Sequence, residues 1–234
     1  MVDTEENIAN RAVNFFHNQF AQEGSNSDFS MLKHIPRLVS DECNGQLWGL
    51  PTFEEVKRAV FELKGDSACG PDRLSGTFYH ACWDVVGMDV FRLVKAFYEG
   101  HTLPKSITHT NLVLFPKKPL VQSFADLRPI SLSNFINKVI SRVVYGRLDS
   151  ILPQLISSNQ SGFVKGRSII ENVLLTQEIL TDIRKRGRPA NVVINLNMDK
   201  TYDIVSWLYL TKFLEKMGLT GEFVDQIWRL LANN

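Results

Sequence analysis

Apolar residues at Ile8, Ala12, Phe15, Phe16 and Phe20 recur at helical spacing. They predict a helix from about Glu5 to Glu23, opened by an Asp3–Glu6 capping pair and ended by Gly24. Gly24 to Asp41 is polar and irregular and reads as a connector. A second helix starts at the Thr52–Glu55 capping pair, turns Val56, Val60 and Leu63 inward and stops at Gly65. Asp66 to Asp72 is a dense turn signal, and a helical stretch follows from about Ser75 to Tyr98, with a break expected near Gly87. Asn111–Phe115 reads as a short buried strand halted by Pro116. Helices are then predicted over Leu132–Ile151, with Phe135, Ile136, Val139, Ile140, Val143 and Leu148 available for a core, and over Ser168–Lys185. Val192–Asn197 fits a partly buried strand, Ser206 caps a helix to about Met217, and Glu222–Asn233 makes the last helix. Many helices with a few strands predict an α+β fold.

Composition changes this picture little, and charge changes it more. The 234 residues are 44% hydrophobic and 22% charged, as an ordinary globular chain is. Apolar runs such as Leu112–Phe115 are too short to cross a bilayer, and the acidic start resembles no targeting peptide. The expectation is an intracellular protein, nuclear or cytoplasmic, with no membrane partner. Cys43, Cys69 and Cys82 lack metal-ligand spacing and read as free thiols. Net charge is +1, but residues 101–190 hold 13 Lys and Arg against 5 Asp and Glu, while residues 1–100 hold 9 against 15. A basic middle of +8 suits a polyanion; a solvated charged face explains it equally well at this level.

Four segments carry candidate chemistry. Lys117 and Lys118 after a strand, with a loop returning Arg128, suit a clamp on a triphosphate. Asn159–Ser168 sets Gly162 and Gly166 around a basic stretch, so that backbone approaches a polyanion while Lys165 and Arg167 contact phosphates. Ala68–Gly76 reads as a turn before a helix. Val192–Trp207 is a hydrophobic strand running into carboxylates, the way polymerases deliver metal ligands. Taken singly, each is also an ordinary turn, loop or capped helix.

In this order, Cys69-Gly70-Pro71-Asp72, Pro116-Lys117-Lys118 with Arg128–Leu132, Asn159–Arg167 and Leu196–Trp207 resemble the run of motifs in LINE-type (non-LTR retrotransposon) reverse transcriptases, plant ones especially. The resemblance covers essentially the whole chain. It implies a right-hand polymerase: residues 1–50 a helical connector, 51–190 fingers-like, 191–234 the first palm strand and following helices. Lys117 or Lys118, with Arg128, then lie near the phosphates of an incoming nucleotide. Gln160, Gly162, Lys165, Gly166 and Arg167 hold template and nucleotide. Tyr202 sits against the sugar, and Asp203 orients its turn. Arg184, Lys185, Arg186 and Arg188 add positive charge for nucleic acid.

The departures from that pattern matter as much. Asn197 stands where the family has a metal-binding aspartate. Losing one charge pair at about 4 Å removes about 4 kcal/mol at an effective dielectric near 20, which slows chemistry about a thousandfold. Asp199 is no substitute, since two residues along a strand is about 6.6 Å and metal–oxygen distances are near 2.1 Å. The family's later glycine-rich segment and paired aspartates do not occur, and no two aspartates are adjacent here. Arg73 for glycine, Cys69 for proline, Thr201 for alanine and Ile204 for arginine are smaller departures. The expectation is a truncated, inactive fragment with no cofactor of its own, although intact relatives are expected to use Mg2+. It would retain at most binding to RNA or single-stranded DNA; the alternative is a structural or partner-binding remnant.

Overall fold

Hydroxyl side chains set helix starts by taking backbone N–H groups that no helical carbonyl reaches. In the computed structural model, which describes residues 4–21, 28–183, 192–194, 196 and 205–232, Ser40 accepts from the Cys43 N–H, Thr52 from Glu55, Ser75 from Phe78 and Ser206 from Tyr209, at 3.2–3.4 Å. In chain order the elements are α1 (Glu5–Ala21), α2 (Asp41–Trp48), α3 (Phe53–Glu62), α4 (Gly76–Ala81), α5 (Trp83–Tyr98), α6 (Lys105–Thr108), β1 (Thr110–Pro116), β2 (Leu127–Ser133), α7 (Phe135–Asp149), α8 (Leu152–Leu155), α9 (Ile169–Ile183), α10 (Trp207–Met217) and α11 (Gly221–Ala232). β1 and β2 pair antiparallel from Thr110↔Ser133 to Pro116↔Leu127. The fold is α+β, with helices far outweighing this one hairpin among the described residues.

The core gathers on α3, α5 and α7. Val56, Val60, Val94, Val139 and Ile140 are fully enclosed, and Phe97, Phe135 and Phe223 fill the space between them. Val39 and Leu47 near one end of the chain join Phe223 and Val224 near the other in the same cluster. Two polar side chains organise this core. Arg147, with 12% of its side chain exposed, makes a two-armed ion pair with Glu55 at 2.7 and 2.8 Å and donates to the Leu47 and Gly49 carbonyls. Its guanidinium also lies 4.8 Å from the centre of the Tyr98 ring. Burial alone would raise the Glu55 pKa, but Arg147's hydrogen bonds and charge outweigh it and hold the carboxyl below its usual value.

Asn134 is the second. It is completely buried; its Oδ1 accepts from the Asp72 N–H at 3.1 Å, and its Nδ2 donates to the Ser106 and Ile107 carbonyls at 2.8 and 3.1 Å. Gly70 lies directly on it: a Cβ there would come within 2.4 Å of the Asn134 backbone nitrogen.

Several elements differ from the sequence expectation. Thr4 caps α1, accepting from the Asn7 N–H at 3.4 Å, while Asp3 lies outside the described residues. α2 begins at Asp41, where the expected connector ends, a helix the sequence pattern did not mark; Ser40 caps it and Asp41 and Glu42 favour its first turn. The Ser75–Tyr98 stretch breaks at Cys82 rather than Gly87. Gly87 sits inside α5, where a Cβ would meet the Trp83 indole at 2.8 Å. β1 is not buried; Leu112 and Phe115 are exposed, and Pro116 still pairs with Leu127. Arg128 stands on a strand, not a loop, so α7 begins at Phe135 instead of Leu132. Val192, Val193, Ile194 and Leu196 are exposed and form no strand; β1 and β2 pair only with each other, so no described strand lies beside them.

Arg73 adopts φ +60°, the left-handed region that favours glycine. That gives one sequence departure a physical cost. Replacing Gly70 by Ala should lower unfolding stability by about 3 kcal/mol, since overpacking and loss of the Asn134 contacts add. Arg73→Gly should do the reverse, by about 0.5 kcal/mol, as relief of left-handed strain exceeds the added freedom of the unfolded chain. Urea unfolding of both variants measures the pair, and equal midpoints for all three proteins would contradict it.

Candidate nucleic-acid interface

Antiparallel pairing decides which cations share a face. Phe115 pairs with Arg128 and side chains alternate, so Lys117, two residues past Phe115, falls on Arg128's side of the hairpin and Lys118 on the other. The Lys117 N–H donates to the Asp126 carbonyl at 2.8 Å, and its ammonium to the Ala125 carbonyl at 3.0 Å. That carbonyl is neutral, so Lys117 keeps its charge. Lys118 instead meets the Asp126 carboxylate at 2.9 Å. The same carboxylate accepts from the Gln122 and Ser123 N–H groups, and the Lys118 hydrogen bond, with these, holds it down to about 2. Arg128 is exposed and has no ion-pair partner among the described residues. The hairpin turn rests on α1, with the Phe124 and Phe15 rings 5.8 Å apart.

The loop between α8 and α9 is built around Arg167. One guanidinium nitrogen donates to the Ser157 and Gln160 carbonyls and the other to Pro153 and Ile156, four acceptors in all. These include carbonyls around the end of α8, where a cation is favoured. Expected as a phosphate contact, Arg167 is in the structure the pin that folds its loop, and its charge stays uncompensated because these partners are neutral. Ser161 and Val164 are buried beneath the loop. Gly166 supplies the turn with φ +79°, and neither Gly166 nor Gly162 has a close neighbour over its Cα beyond the Gln160 amide at 3.8 Å. Lys165 is largely exposed and lies 3.7 Å from Asp149.

Along the outer side of α7, Lys138 donates to the Ala68 carbonyl at 2.6 Å, while Arg142 pairs with Glu62 at 2.7 Å. Sequence reasoning passed over both, as it passed over Asn134 and Arg147. Lys138 and Arg142, at i and i+4 on the face of α7 opposite its apolar stripe, were the available signal. No hydrogen bond or ion pair among the described residues joins the hairpin to the Arg167 loop. Arg184, Lys185, Arg186, Arg188, Asn197, Tyr202 and Asp203 lie outside the described residues.

Residues 115–234 match the profile of the family described as reverse transcriptase (RNA-dependent DNA polymerase). The chain is 28% identical over 230 residues to the transposon TX1 uncharacterized 149 kDa protein of Xenopus laevis, covering 97% of this chain and 17% of that one. It is 23% identical over 190 residues to a retrovirus-related Pol polyprotein from the type-2 retrotransposable element R2DM of Drosophila melanogaster, covering 81% and 17%. Over 170 residues it is 25% identical to the corresponding polyprotein of a type-1 R2 element from Popillia japonica, covering 71% and 22%. It thus spans about a fifth of the length of these relatives. With the profile reaching over more than half of its residues and transposon proteins of the TX1 and R2 kinds among its relatives, the chain belongs to the reverse transcriptase family, in its non-LTR, LINE-type branch.

Proposed function

We propose that this 234-residue chain binds RNA or single-stranded DNA without sequence preference and, by itself, does not extend a primer. The observation that carries the binding half is the +8 balance over residues 101–190 together with the state of its cations. Lys117, Lys138 and Arg167 are held by neutral carbonyls, and Arg128 by no carboxylate among the described residues, so their field remains available to phosphates. Lys118, Arg142 and Arg147 face carboxylates and contribute less.

Asn197 supports the catalytic half. Divalent cations in two-metal polymerase chemistry are held by carboxylates, and the sequence offers an amide at that position. A neutral amide in place of one of these carboxylates does not fit a pair of Mg2+ ions.

Binding to a labelled oligonucleotide should weaken steeply as salt rises, because each neutralised phosphate releases counterions. Replacing Arg184, Lys185, Arg186 and Arg188 together by Ala should flatten that dependence. Binding that is absent at low salt would leave the structural-remnant reading, and binding unmoved by these changes would take Arg184 to Arg188 out of the interface and leave it to Lys117, Arg128, Lys138 and Arg167. The catalytic half calls for four proteins: the chain as it stands, Asn197→Asp, a fusion to the following polymerase segments of a close relative, and the fusion with Asn197→Asp. Extension with Mg2+ or Mn2+ is expected from the last alone, as groups acting as a unit are strongly non-additive. Metal-dependent extension by the unaltered chain would contradict the reading.

A further inference from the structure

We propose that Phe163 is a stacking platform for one base of a bound single strand, with the cations beside it holding the adjoining phosphates. This deepens the nucleic-acid reading and rests on it. Phe163 is 86% exposed on a chain whose other aromatic rings mostly find partners. Its backbone sits at φ +62°, a region that bulky side chains avoid. Exposure of the ring and strain in its backbone both oppose folding, and such combinations persist where the surroundings enforce them.

The surroundings do enforce it. Ser161 and Val164 on either side are buried, and Arg167 grips four carbonyls from Pro153 to Gln160, so the ring is carried outward on a fixed base. It borders an open hollow of about 620 Å3, with Tyr145, Ser161, Lys165, Arg167 and Ser168 among its walls. Tyr145 also borders a neighbouring hollow of about 340 Å3 shared with Ser133, Lys138, Ser141 and Arg142. Tyr145 thus stands at both hollows, at the end of one stripe of α7 on which Lys138, Ser141, Arg142 and Tyr145 follow at helical i, i+3, i+4 and i+7.

Charge and ring chemistry along this path select the occupant. Its carboxylates are already engaged, Asp149 by Lys165 and the Tyr145 hydroxyl at 3.2 Å, Glu62 by Arg142. Arg167 and Lys138 stay uncompensated. Tyr145 carries the Arg142 guanidinium 5.3 Å from its ring centre, whereas no aromatic or cationic partner meets Phe163 among the described residues. A free aromatic face between cations suits a base next to its phosphates, and it is indifferent to which base because every base has a π-face.

The test is fluorescence anisotropy of the full chain with three labelled 15-mers: oligouridylate, oligothymidylate, and an abasic strand of the same charge. Phe163→Gly removes the ring and relieves the positive φ, so it spares the fold; Phe163→Trp restores a stacking surface. Phe163→Gly should weaken both base-bearing strands about tenfold, leave their salt dependence unchanged and leave the abasic strand unaffected. Phe163→Trp should bind as the unaltered chain does. Unchanged affinity in Phe163→Gly, or an equal loss on the abasic strand, would overturn the stacking role while leaving the wider reading intact. Failure of the unaltered chain to bind any of the three at low salt would overturn both.

Discussion

The buried amide of Asn134 fixes where the hairpin, the Gly70 turn and the helical core meet. Its three hydrogen bonds reach the Asp72 N–H on one side and the Ser106 and Ile107 carbonyls on the other, while its own backbone joins β2 to α7. An apolar side chain of the same size would remove all three bonds from partly buried backbone groups, at about 1 kcal/mol each. Gly70 is required because the turn presses onto this residue, and Lys138, one helical turn along α7, ties the same turn down through the Ala68 carbonyl. The exit direction of the hairpin that carries Lys117 and Arg128 follows from this junction.

Arg147 plays the matching part at the far end of α7. It joins α2 to α3 and α5 by an ion pair, two carbonyl bonds and a ring contact, and a buried cation so fully engaged is structural. The two residues hold the ends of one helix whose inner face, Ile136, Val139, Ile140 and Val143, is core and whose outer face is charged. Basic residues in this chain therefore divide into those that build the frame and those left to act on a partner. Net charge over a stretch of sequence does not separate the two.

Much of the helical frame was legible in the sequence because capping residues and apolar stripes are local. Thr52, Ser206 and the inward residues of α7 stand where the pattern put them. What escaped was non-local. β2 looks like a loop until its pairing with β1 is known, since Arg128, Pro129 and Ser131 carry no strong alternation. No glycine or proline marks the break at Cys82, while Gly87, the residue that suggested one, packs against Trp83 inside α5. Arg73 is a small departure in sequence, and only its backbone angle gives the substitution a consequence. The site was legible as motifs and not as geometry: nothing local tells that Lys118 is spent on Asp126 while Lys117 is not, or that Arg167 pins its own loop.

On the proposed function, the helical frame presents the hairpin tip at Lys117–Arg128 and the Arg167 loop to one nucleic-acid strand. Amide hydrogen exchange of the chain, with and without a saturating 15-mer of RNA, tests it most directly. Bound RNA should add protection at residues 117–128 and 160–168 and leave the amides of α3 and α5 unchanged. Protection by bound RNA that leaves both of those stretches untouched would contradict it.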